Sequence, residues 1–281
     1  MKYYVYKKIF TLKSNFNSRQ ILSCPKLMTL PIEKQCVLVT GAGRGLGSEI
    51  AKSFHREGAK VIINYRNSYE SAKKLSDSLG ENAILIQGDI REKGQVSKMH
   101  EELASQNIRV DTIIHNAIND FIFNGDQRKK IDTIEWQDFQ SQIETTQKGF
   151  LNLLNIFTPH MKNNSFGRVI SIGTNLFQNP VIPYHDYTAA KGGLLSLTRT
   201  AAIDLGQFNI TVNMVSGGLL KITDASKGTP DSVFEYISSI TPLRRVTTTD
   251  DFSDAVLFFA SPWSRAVTGQ NLIVDGGLVL N

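Results

Sequence analysis

The sequence predicts a doubly wound α/β fold, in which a seven-stranded parallel sheet carries helices on both faces within a single domain. One observation is that short apolar runs alternate with longer amphipathic segments from residue 36 onward. Another is that these runs show little alternation of apolar and polar residues, as expected of strands buried on both faces. In addition, no interior linker, repeat or low-complexity stretch divides the chain.

The strands are predicted from apolar runs bounded by turn residues. In chain order they cover residues 36–40, 60–65, 83–89, 110–116, 167–173, 209–215 and 271–277. Between them, apolar residues recur at intervals of three and four, which predicts helices. The helical segments include 45–57, 68–79, 93–106, 135–162 and 187–206. Two irregular stretches, 117–134 and 216–232, follow strands four and six, at the edge where parallel sheets bind ligands.

The N-terminal segment differs in composition from the rest. We expect residues 1–34 to form a disordered or non-native basic extension before a catalytic domain at 35–281. Residues 1–32 contain six Lys or Arg and no Asp or Glu; since the whole chain has a net charge of +5, the remainder carries −1. A nearly neutral body argues against a nucleic-acid partner. Met28 is a second candidate start, and the segment has the features of neither an export nor an import signal.

Two further features of composition bound the class of protein. The apolar runs are shorter than the ~20 residues of a membrane-spanning helix, so we expect no membrane helix. The two cysteines, Cys24 and Cys36, suggest neither a disulfide framework nor a metal-ligand cluster. They fit a reducing cytoplasm, and no metal is expected at the site.

The first strand runs directly into a glycine-rich turn, "TGAGRGLGSEI", that opens the first helix. Gly41, Gly45 and Gly47 let backbone amides approach a pyrophosphate and let the helix pack closely on the sheet. A purely structural turn is the alternative, but the helix and second strand that follow favour a dinucleotide site. The turn adds three further candidate cofactor contacts: Gly43, Arg44 and Leu46.

The end of the second strand, "VIINYRNS", indicates which dinucleotide is bound. NAD sites place an Asp or Glu here for the ribose hydroxyls, whereas NADP sites lack that acid and supply cations. This chain has Asn64, Tyr65 and Arg66, and Arg44 could approach the same phosphate. We therefore expect NADP(H), with Tyr65 and Arg66 among its contacts. A merely solvated Arg66 is the alternative.

The segment "YHDYTAAKGG" at 184–193 pairs a phenol with an ammonium. Tyr187 and Lys191 are four residues apart and share one helix face, whereas Tyr184 precedes the first turn. A positive charge near a phenol lowers its pKa from the ordinary value of about 10. Tyr187 could then act as a general acid or base. A chance pair on a surface helix is the alternative.

Three motifs occur in one order on the expected elements: "TGAGRGLG" after strand one, "HNA" after strand four and "YTAAK" on the helix after strand five. Together with the closing "VTGQNLIVDGG", they resemble the short-chain dehydrogenase/reductase family over residues 36–281, particularly the 3-oxoacyl-(acyl-carrier-protein) reductases of fatty acid biosynthesis. The resemblance implies a Rossmann-type fold and an oxidoreductase assembled as a tetramer or dimer. The implied reaction is the NADPH-dependent reduction of a 3-oxoacyl thioester to the 3-hydroxyacyl thioester.

The resemblance also implies a role for each site residue. Tyr187 protonates the carbonyl oxygen of the substrate, and Lys191 lowers the pKa of Tyr187 and binds the nicotinamide ribose. Thr174, a serine in most members, donates a hydrogen bond to the same carbonyl oxygen. Asp89 and Ile90 match the positions that bracket adenine. The remaining implied cofactor contacts are Asn116 beside the adenosine ribose, the adjacent Ala117, and Leu220, whose backbone amide meets the nicotinamide carboxamide.

The chain departs from the family pattern at several positions. Ile118 replaces the glycine after "HNA", and Thr146, three before Gly149, replaces an asparagine that helps to hold a relay water. The segment 136–146 is a few residues longer than usual. Two further departures are Gly217-Gly218 in place of Pro-Gly, and Ser165 and Phe208 in place of the basic residues that dock the carrier protein, which puts carrier-protein recognition in doubt.

Two other functions remain open. One is another NAD(P)-dependent carbonyl or sugar-alcohol oxidoreductase, which the pocket formed by 216–232 would decide. The other is a nucleotide-binding sensor without turnover, suggested by Ile118 and Thr146 and opposed by the intact catalytic set. Apolar residues of the long helices could form the interface of a homo-oligomer or simply face the sheet. These residues are Phe150, Leu151, Leu154, Leu194 and Leu197.

Overall fold

The fold is taken from a computed structural model that describes residues 29–119, 121, 123, 125–221, 226 and 228–280. The predicted extension, including Cys24 and Met28, lies outside the described residues up to residue 28. Ile32–Lys34 form one turn of 3-10 helix, and Ile32 packs against the core. The boundary between residues 34 and 35 therefore stays a prediction.

The described residues form a sheet of seven parallel strands in the order β3-β2-β1-β4-β5-β6-β7. Successive strands extend the sheet outward from β1 toward one edge, and after β3 the chain returns beside β1 and extends it toward the other. This confirms the doubly wound, seven-stranded α/β fold of a single domain. The strands are β1 Cys36–Val39, β2 Lys60–Tyr65, β3 Ala83–Gln87, β4 Thr112–His115, β5 Gly167–Thr174, β6 Ile210–Gly217 and β7 Asn271–Val274.

Helices connect the strands. They are α1 Gly45–Arg56, α2 Tyr69–Leu79, α3 Lys93–Ser105, α4 Trp136–Ile143, α5 Gly149–Asn163, α6 His185–Leu205, α7 Asp231–Ile240 and α8 Thr249–Ala260. A π-helical segment, Glu144–Lys148, joins α4 to α5. The sequence analysis names no helix where α7 and α8 lie. Within the described ranges, no helix combines the length and the apolar character needed to cross a bilayer.

Apolar side chains cover both faces of the sheet because successive strand residues point to opposite sides. Helices α3, α5 and α6 pack on one face, where Phe150, Leu153 and Leu194 are fully buried. Helices α1, α2 and α8 pack on the other face, where Phe54 and Phe252 are fully buried. The two layers leave the carboxyl edge of the sheet as the place where loops and side chains can meet a ligand.

Candidate active site

The glycine turn leaves β1 with two residues in the left-handed region: Gly41 has φ 62° and Gly45 has φ 56°. A side chain is unfavourable at Gly45 because of this conformation, although a Cβ there would meet no atom within 4 Å. A Cβ at Gly47 would lie 2.5 Å from both the Gly41 carbonyl oxygen and the Asn116 amide nitrogen. The turn therefore keeps an open backbone surface at the start of α1, which fits a pyrophosphate group.

Thr40 and Asn116 connect this turn to the end of β4. The Asn116 and Ala117 backbone amides donate to Thr40 Oγ1 at 3.0 and 3.1 Å. The Asn116 side-chain amide donates to the carbonyls of Thr40 at 3.0 Å and Gly41 at 3.3 Å. The structure thus brings Asn116 and Ala117 beside the glycine turn, and their contacts with the cofactor stay predictions. Thr40 was not predicted from the sequence, where its one signal is its position between β1 and the first glycine.

Asn64 and Tyr65, at the end of β2, are both buried. The Asn64 amide nitrogen donates to the Gly88 carbonyl at 3.1 Å, and its oxygen accepts from the Gly41 backbone amide at 3.5 Å. Asn64 therefore joins the second strand to the turn and to the end of β3. Arg66 follows on the surface and lines a cavity of about 540 Å³ together with Asp89 and Arg91.

Asp89 and Ile90 point in different directions after β3. Arg91 holds the Asp89 carboxylate in a bidentate pair, with Nη2–Oδ2 at 2.6 Å and Nε–Oδ1 at 3.0 Å. Burial raises the pKa of Asp89, but the hydrogen bonds from Arg91 outweigh this and lower it overall. Ile90 instead packs into the core, where a Cβ on Gly149 would lie 2.7 Å from its Cδ1. Of the two, only Asp89 lines the cavity.

The predicted catalytic residues converge at the carboxyl end of β5. Thr174 is the last residue of that strand, and Tyr187 and Lys191 lie in the first turns of α6, with Tyr184 preceding the helix. The Thr174 and Tyr187 side chains form a hydrogen bond. Lys191 Nζ donates to the Ile172 carbonyl at 2.6 Å and lies 5.8 Å from the centre of the Tyr187 ring. The spacing of the tyrosine and lysine thus places them on one buried helix face.

Burial dominates the electrostatics of this group. It raises the pKa of Tyr187 to about 12, although the hydrogen bond from Thr174 lowers it in part. It also lowers the pKa of Lys191 to about 8. The structure therefore does not show the lowered phenol pKa expected from the sequence, because desolvation of the ring outweighs the hydrogen bond from Thr174. Tyr187 is protonated at neutral pH, as a proton donor must be.

An aromatic wall, defined as Phe121, Phe123 and Tyr184, encloses the Tyr187 ring. The ring centres of Phe121 and Phe123 lie 4.8 and 5.4 Å from that of Tyr187. Arg128 fixes this wall, because its guanidinium lies 4.2 Å from the Phe121 ring centre and pairs with Asp186 at 2.6 Å. Phe121 and Phe123 lie in the irregular stretch 117–134, but neither was predicted individually from the sequence.

The long segment before Gly149 adopts the π-helical conformation at Glu144–Lys148. A π-helical turn is a local widening of the helix, a feature that is frequent at functional sites. Thr146 is buried, and its carbonyl oxygen lies 2.9 Å from His115 Nε2 at the end of β4. This places the predicted relay position beside a histidine that the sequence analysis did not consider.

Leu220 lies after β6 and packs partly buried against the core on the face of α8. The Lys221 amide donates to the Thr247 carbonyl at 3.0 Å, which anchors this part of the loop. Residues 222–225 and 227 of the predicted substrate loop 216–232 lie outside the described residues. The contact predicted between Leu220 and the nicotinamide therefore stays a prediction.

Sequence relatives decide the family. The family model described as Enoyl-(Acyl carrier protein) reductase matches residues 41–279. The 3-oxoacyl-(acyl-carrier-protein) reductase FabG of Staphylococcus epidermidis is 31% identical over 248 residues, covering 86% of this chain and 98% of that protein. The chain belongs to the short-chain dehydrogenase/reductase family. It is therefore an NAD(P)-dependent oxidoreductase.

Other members of the short-chain dehydrogenase/reductase family are equally similar. The 7alpha-hydroxysteroid dehydrogenase of Escherichia coli is 32% identical over 253 residues, covering 88% of this chain and 95% of that protein. The structure of a gluconate 5-dehydrogenase from Burkholderia cenocepacia, in complex with NADP and tartrate, superposes with a TM-score of 0.80 at 27% identity. That match covers 89% of this chain and 96% of the other. The named activities differ, so family membership alone leaves the substrate open.

Proposed function

We propose that the protein is an NADPH-dependent reductase that converts a 3-oxoacyl thioester to the 3-hydroxyacyl thioester. The observation that carries this proposal is the convergence of Thr174, Tyr187 and Lys191 beside an apolar aromatic wall. Two hydroxyl donors suit a ketone oxygen, and apolar rings suit an acyl chain. The similarity to FabG supports the same substrate class.

The choice of NADP(H) rests on the residues around the glycine turn and the end of β2. Asn64 is buried and tied to backbone groups, so no carboxylate occupies the place where an NAD site offers one. Arg66 lines the adjoining cavity and suits a phosphate. When bound, the reduced nicotinamide supplies the hydride. The NADP in the Burkholderia relative supports this choice.

The chain's own residues would manage charge and protons during reduction. Negative charge develops on the carbonyl oxygen as its carbon is reduced, and the hydroxyls of Thr174 and Tyr187 are placed together to donate to it. Tyr187, with a pKa raised to about 12, then gives up its proton to form the alcohol. Lys191, held by the Ile172 carbonyl, would orient the nicotinamide ribose and support the resulting phenolate.

Coenzyme A thioesters are the appropriate first substrates. Phe208, at one of the two positions where a carrier-protein reductase has a basic residue, lies under the Lys162 ammonium, 4.8 Å from its ring centre. At the other position, the Ser165 carbonyl accepts from the Asn209 side chain at 2.9 Å. Neither Ser165 nor Phe208 is itself a basic residue, and the cation beside Phe208 is Lys162, which comes from a different sequence position. We therefore propose that the thioester itself is recognised without the pair of carrier-docking residues that the family resemblance implies.

The second candidate function is oxidoreduction of another apolar ketone or secondary alcohol. The aromatic wall favours it, because Phe121 and Phe123 offer flat apolar contacts to a ring substrate. The 32% identity to a hydroxysteroid dehydrogenase points the same way. A sugar alcohol fits the wall less well, since it needs polar partners there.

We further propose a homo-oligomer, a dimer or tetramer, that uses the outer faces of α5 and α6. Phe150 and Leu194 are buried in the core and are not available for an interface. Leu151 is 50% exposed and stays a candidate, and Ile203, which is 84% exposed on α6, is an additional one. Light scattering that gives a monomer at micromolar concentration would contradict this proposal. The reducing cytoplasm stays a prediction.

The decisive experiment compares NADPH oxidation with acetoacetyl-CoA by the natural protein, by Tyr187→Phe and by Tyr184→Phe. Tyr184 is the matched control because it is buried in the same aromatic cluster one turn earlier. We expect Tyr187→Phe to lower kcat by about 10²–10⁴-fold, since the proton donor is lost, and Tyr184→Phe to change it little.

Two results would contradict the proposal. No turnover of any 3-oxoacyl thioester, with Tyr187-dependent turnover of a hydroxysteroid and NADP, would select the second candidate function. An equal loss in the two variants would show that the aromatic packing, rather than the Tyr187 hydroxyl, is what activity needs.

A further inference from the structure

His115 is a fully buried histidine at the end of β4, and the mechanism above does not use it. Its Nε2 lies 2.9 Å from the Thr146 carbonyl oxygen. A carbonyl can only accept, so Nε2 carries the proton and Nδ1 of the neutral ring carries a lone pair. Within the described part of the chain, Nδ1 has no hydrogen-bond partner. A buried acceptor without a donor costs folding free energy, so buried polar groups in native proteins usually have a hydrogen-bond partner.

Lys191 is a buried hydrogen-bond donor with more N–H groups than its one described bond uses. Its ammonium has three N–H groups, and within the protein one of them goes to the Ile172 carbonyl. Only 2% of Lys191 is exposed, so its remaining N–H groups have little access to solvent. A buried ammonium needs further acceptors to offset its desolvation.

The strand register places these two groups on the same side of the sheet. His115 is the register partner of Ser171 on β5, whose Oγ lies 3.0 Å from Thr198 Oγ1 on α6. Lys191 precedes Thr198 by two turns on the same face of that helix. The side chains of His115 and Lys191 therefore both occupy the layer between the sheet and α6. The charge of Lys191 accordingly acts on His115 and helps burial to lower the pKa of the imidazole to about 3.

We propose that His115 is a positioning residue for Lys191: in the cofactor-bound protein, the unpartnered Nδ1 accepts a second hydrogen bond from the ammonium, while the Thr146 carbonyl fixes the ring through Nε2–H. The inference rests on the proposed function, in which Lys191 acts on the nicotinamide ribose and on Tyr187. The π-helical segment contributes by presenting the Thr146 carbonyl to the ring. His115 thereby keeps Lys191 charged and directed toward the site.

The sign of the expected pH effect follows from the charges around the pair. His115 is neutral throughout the working range, so it acts only as an acceptor. An acceptor stabilises the charged form of Lys191 and opposes the lowering of its pKa by burial. The other groups on this side are the protonated Tyr187, Tyr184, and the Arg128–Asp186 ion pair at the start of α6. Removing the acceptor should therefore make Lys191 lose its proton at lower pH.

The first test is the pH profile of kcat for His115→Phe, His115→Asn and the natural protein with acetoacetyl-CoA. We expect His115→Phe to shift the alkaline limb to lower pH and to reduce kcat about tenfold near the natural limb, with KM within about twofold. His115→Asn keeps an acceptor near the position of Nδ1, so its alkaline limb should lie at the same pH as in the natural protein.

The matched control is His100→Phe. The His100 ring lies 5.4 Å from that of Phe157, the same separation as between His115 and Phe150, but on α3. We expect this variant to leave the limb unchanged. The proposal is overturned if the limb does not move in His115→Phe, or if His115→Asn behaves like His115→Phe.

The second test requires no substrate and so separates this proposal from the proposed function. Nitrogen-15 NMR of the NADPH-bound full chain reports each imidazole nitrogen, with His115→Asn identifying the resonances. In the natural protein, Nδ1 should resonate as a nitrogen that accepts a hydrogen bond, and in Lys191→Met it should move toward an unpartnered one. If Lys191→Met does not fold, the natural Nδ1 resonance should instead shift as pH rises past about 8. An Nδ1 resonance that resembles an unpartnered nitrogen in the natural protein overturns the proposal.

Discussion

The two ends of the carboxyl edge are built in different ways. At the nucleotide end, the side chains of three residues form hydrogen bonds with the backbone of the glycine turn and its neighbours. These residues are Thr40, Asn64 and Asn116. At the carbonyl end, buried polar atoms of four side chains have no hydrogen-bond partner among the described residues, and an aromatic wall covers Tyr187. These side chains are His115, Gln142, Thr145 and Asp186.

This difference separates cofactor binding, which members of the family share, from substrate choice, which varies between them. The backbone of the glycine turn forms the centre of the nucleotide end, so a short glycine spacing is sufficient to locate it. Side chains from β4, the π-helical segment and α6 define the carbonyl end, so its chemistry depends on residues that are distant in sequence. We expect substitutions at the first end to affect cofactor binding and folding, and those at the second to change substrate choice.

The largest effect is expected from Gly47→Ala at the nucleotide end. A Cβ at this position would lie 2.5 Å from the Gly41 carbonyl, a backbone atom that cannot easily move. We expect a loss of about 3 kcal/mol in the free energy of unfolding, together with weaker NADPH binding. Chemical denaturation and NADPH fluorescence titration measure the two effects.

Gly192→Ala is the matched control for that substitution. Gly192 also lies in a helix, but a Cβ there would meet nothing within 4 Å. We expect this variant to gain about 0.5–1 kcal/mol from helix propensity. If both alanines were tolerated equally well, the close backbone approach at Gly47 would not be a requirement of the nucleotide end.

The next largest effect is expected from Arg66→Ala, measured as the preference for NADPH over NADH. A charge-assisted contact to a phosphate contributes about 2 kcal/mol, so we expect KM for NADPH to rise about thirtyfold while KM for NADH changes little. Arg91→Ala is the control, because Arg91 is a second arginine that lines the same cavity, where it forms a bidentate pair with Asp89. If Arg91→Ala rather than Arg66→Ala loses the preference for NADPH over NADH, the residue that contacts the phosphate is Arg91.

Sequence patterns were sufficient for the sheet and for the residues whose position depends on local spacing. All seven strands were predicted because each is a short apolar run bounded by turn residues. Tyr187 and Lys191 were paired because four residues make about one helical turn. The roles of Asn64 and Thr40 were missed because their partners lie in other strands. The pKa of Tyr187 was misjudged because charge spacing can be read from a sequence, whereas burial by Phe121 and Phe123 cannot.

The smallest effect, and the sharpest test of the carbonyl end, is expected from Phe121→Ala. Phe121 lies against Tyr187 and is held there by Arg128, so its removal opens space for a longer acyl chain next to the proton donor. We expect the ratio of kcat/KM for 3-oxo-octanoyl-CoA to that for acetoacetyl-CoA to rise about tenfold, equivalent to about 1.4 kcal/mol. Phe208→Ala, which removes a ring that packs against Lys162 rather than against Tyr187, is the control. An unchanged ratio in Phe121→Ala, with the chain-length preference altered by substitutions at 216–221 instead, would mean that the loop after β6 selects the substrate. In that case the two ends would differ in their packing, but each would select its ligand through a loop held by backbone contacts: the glycine turn for the nucleotide and the loop after β6 for the substrate.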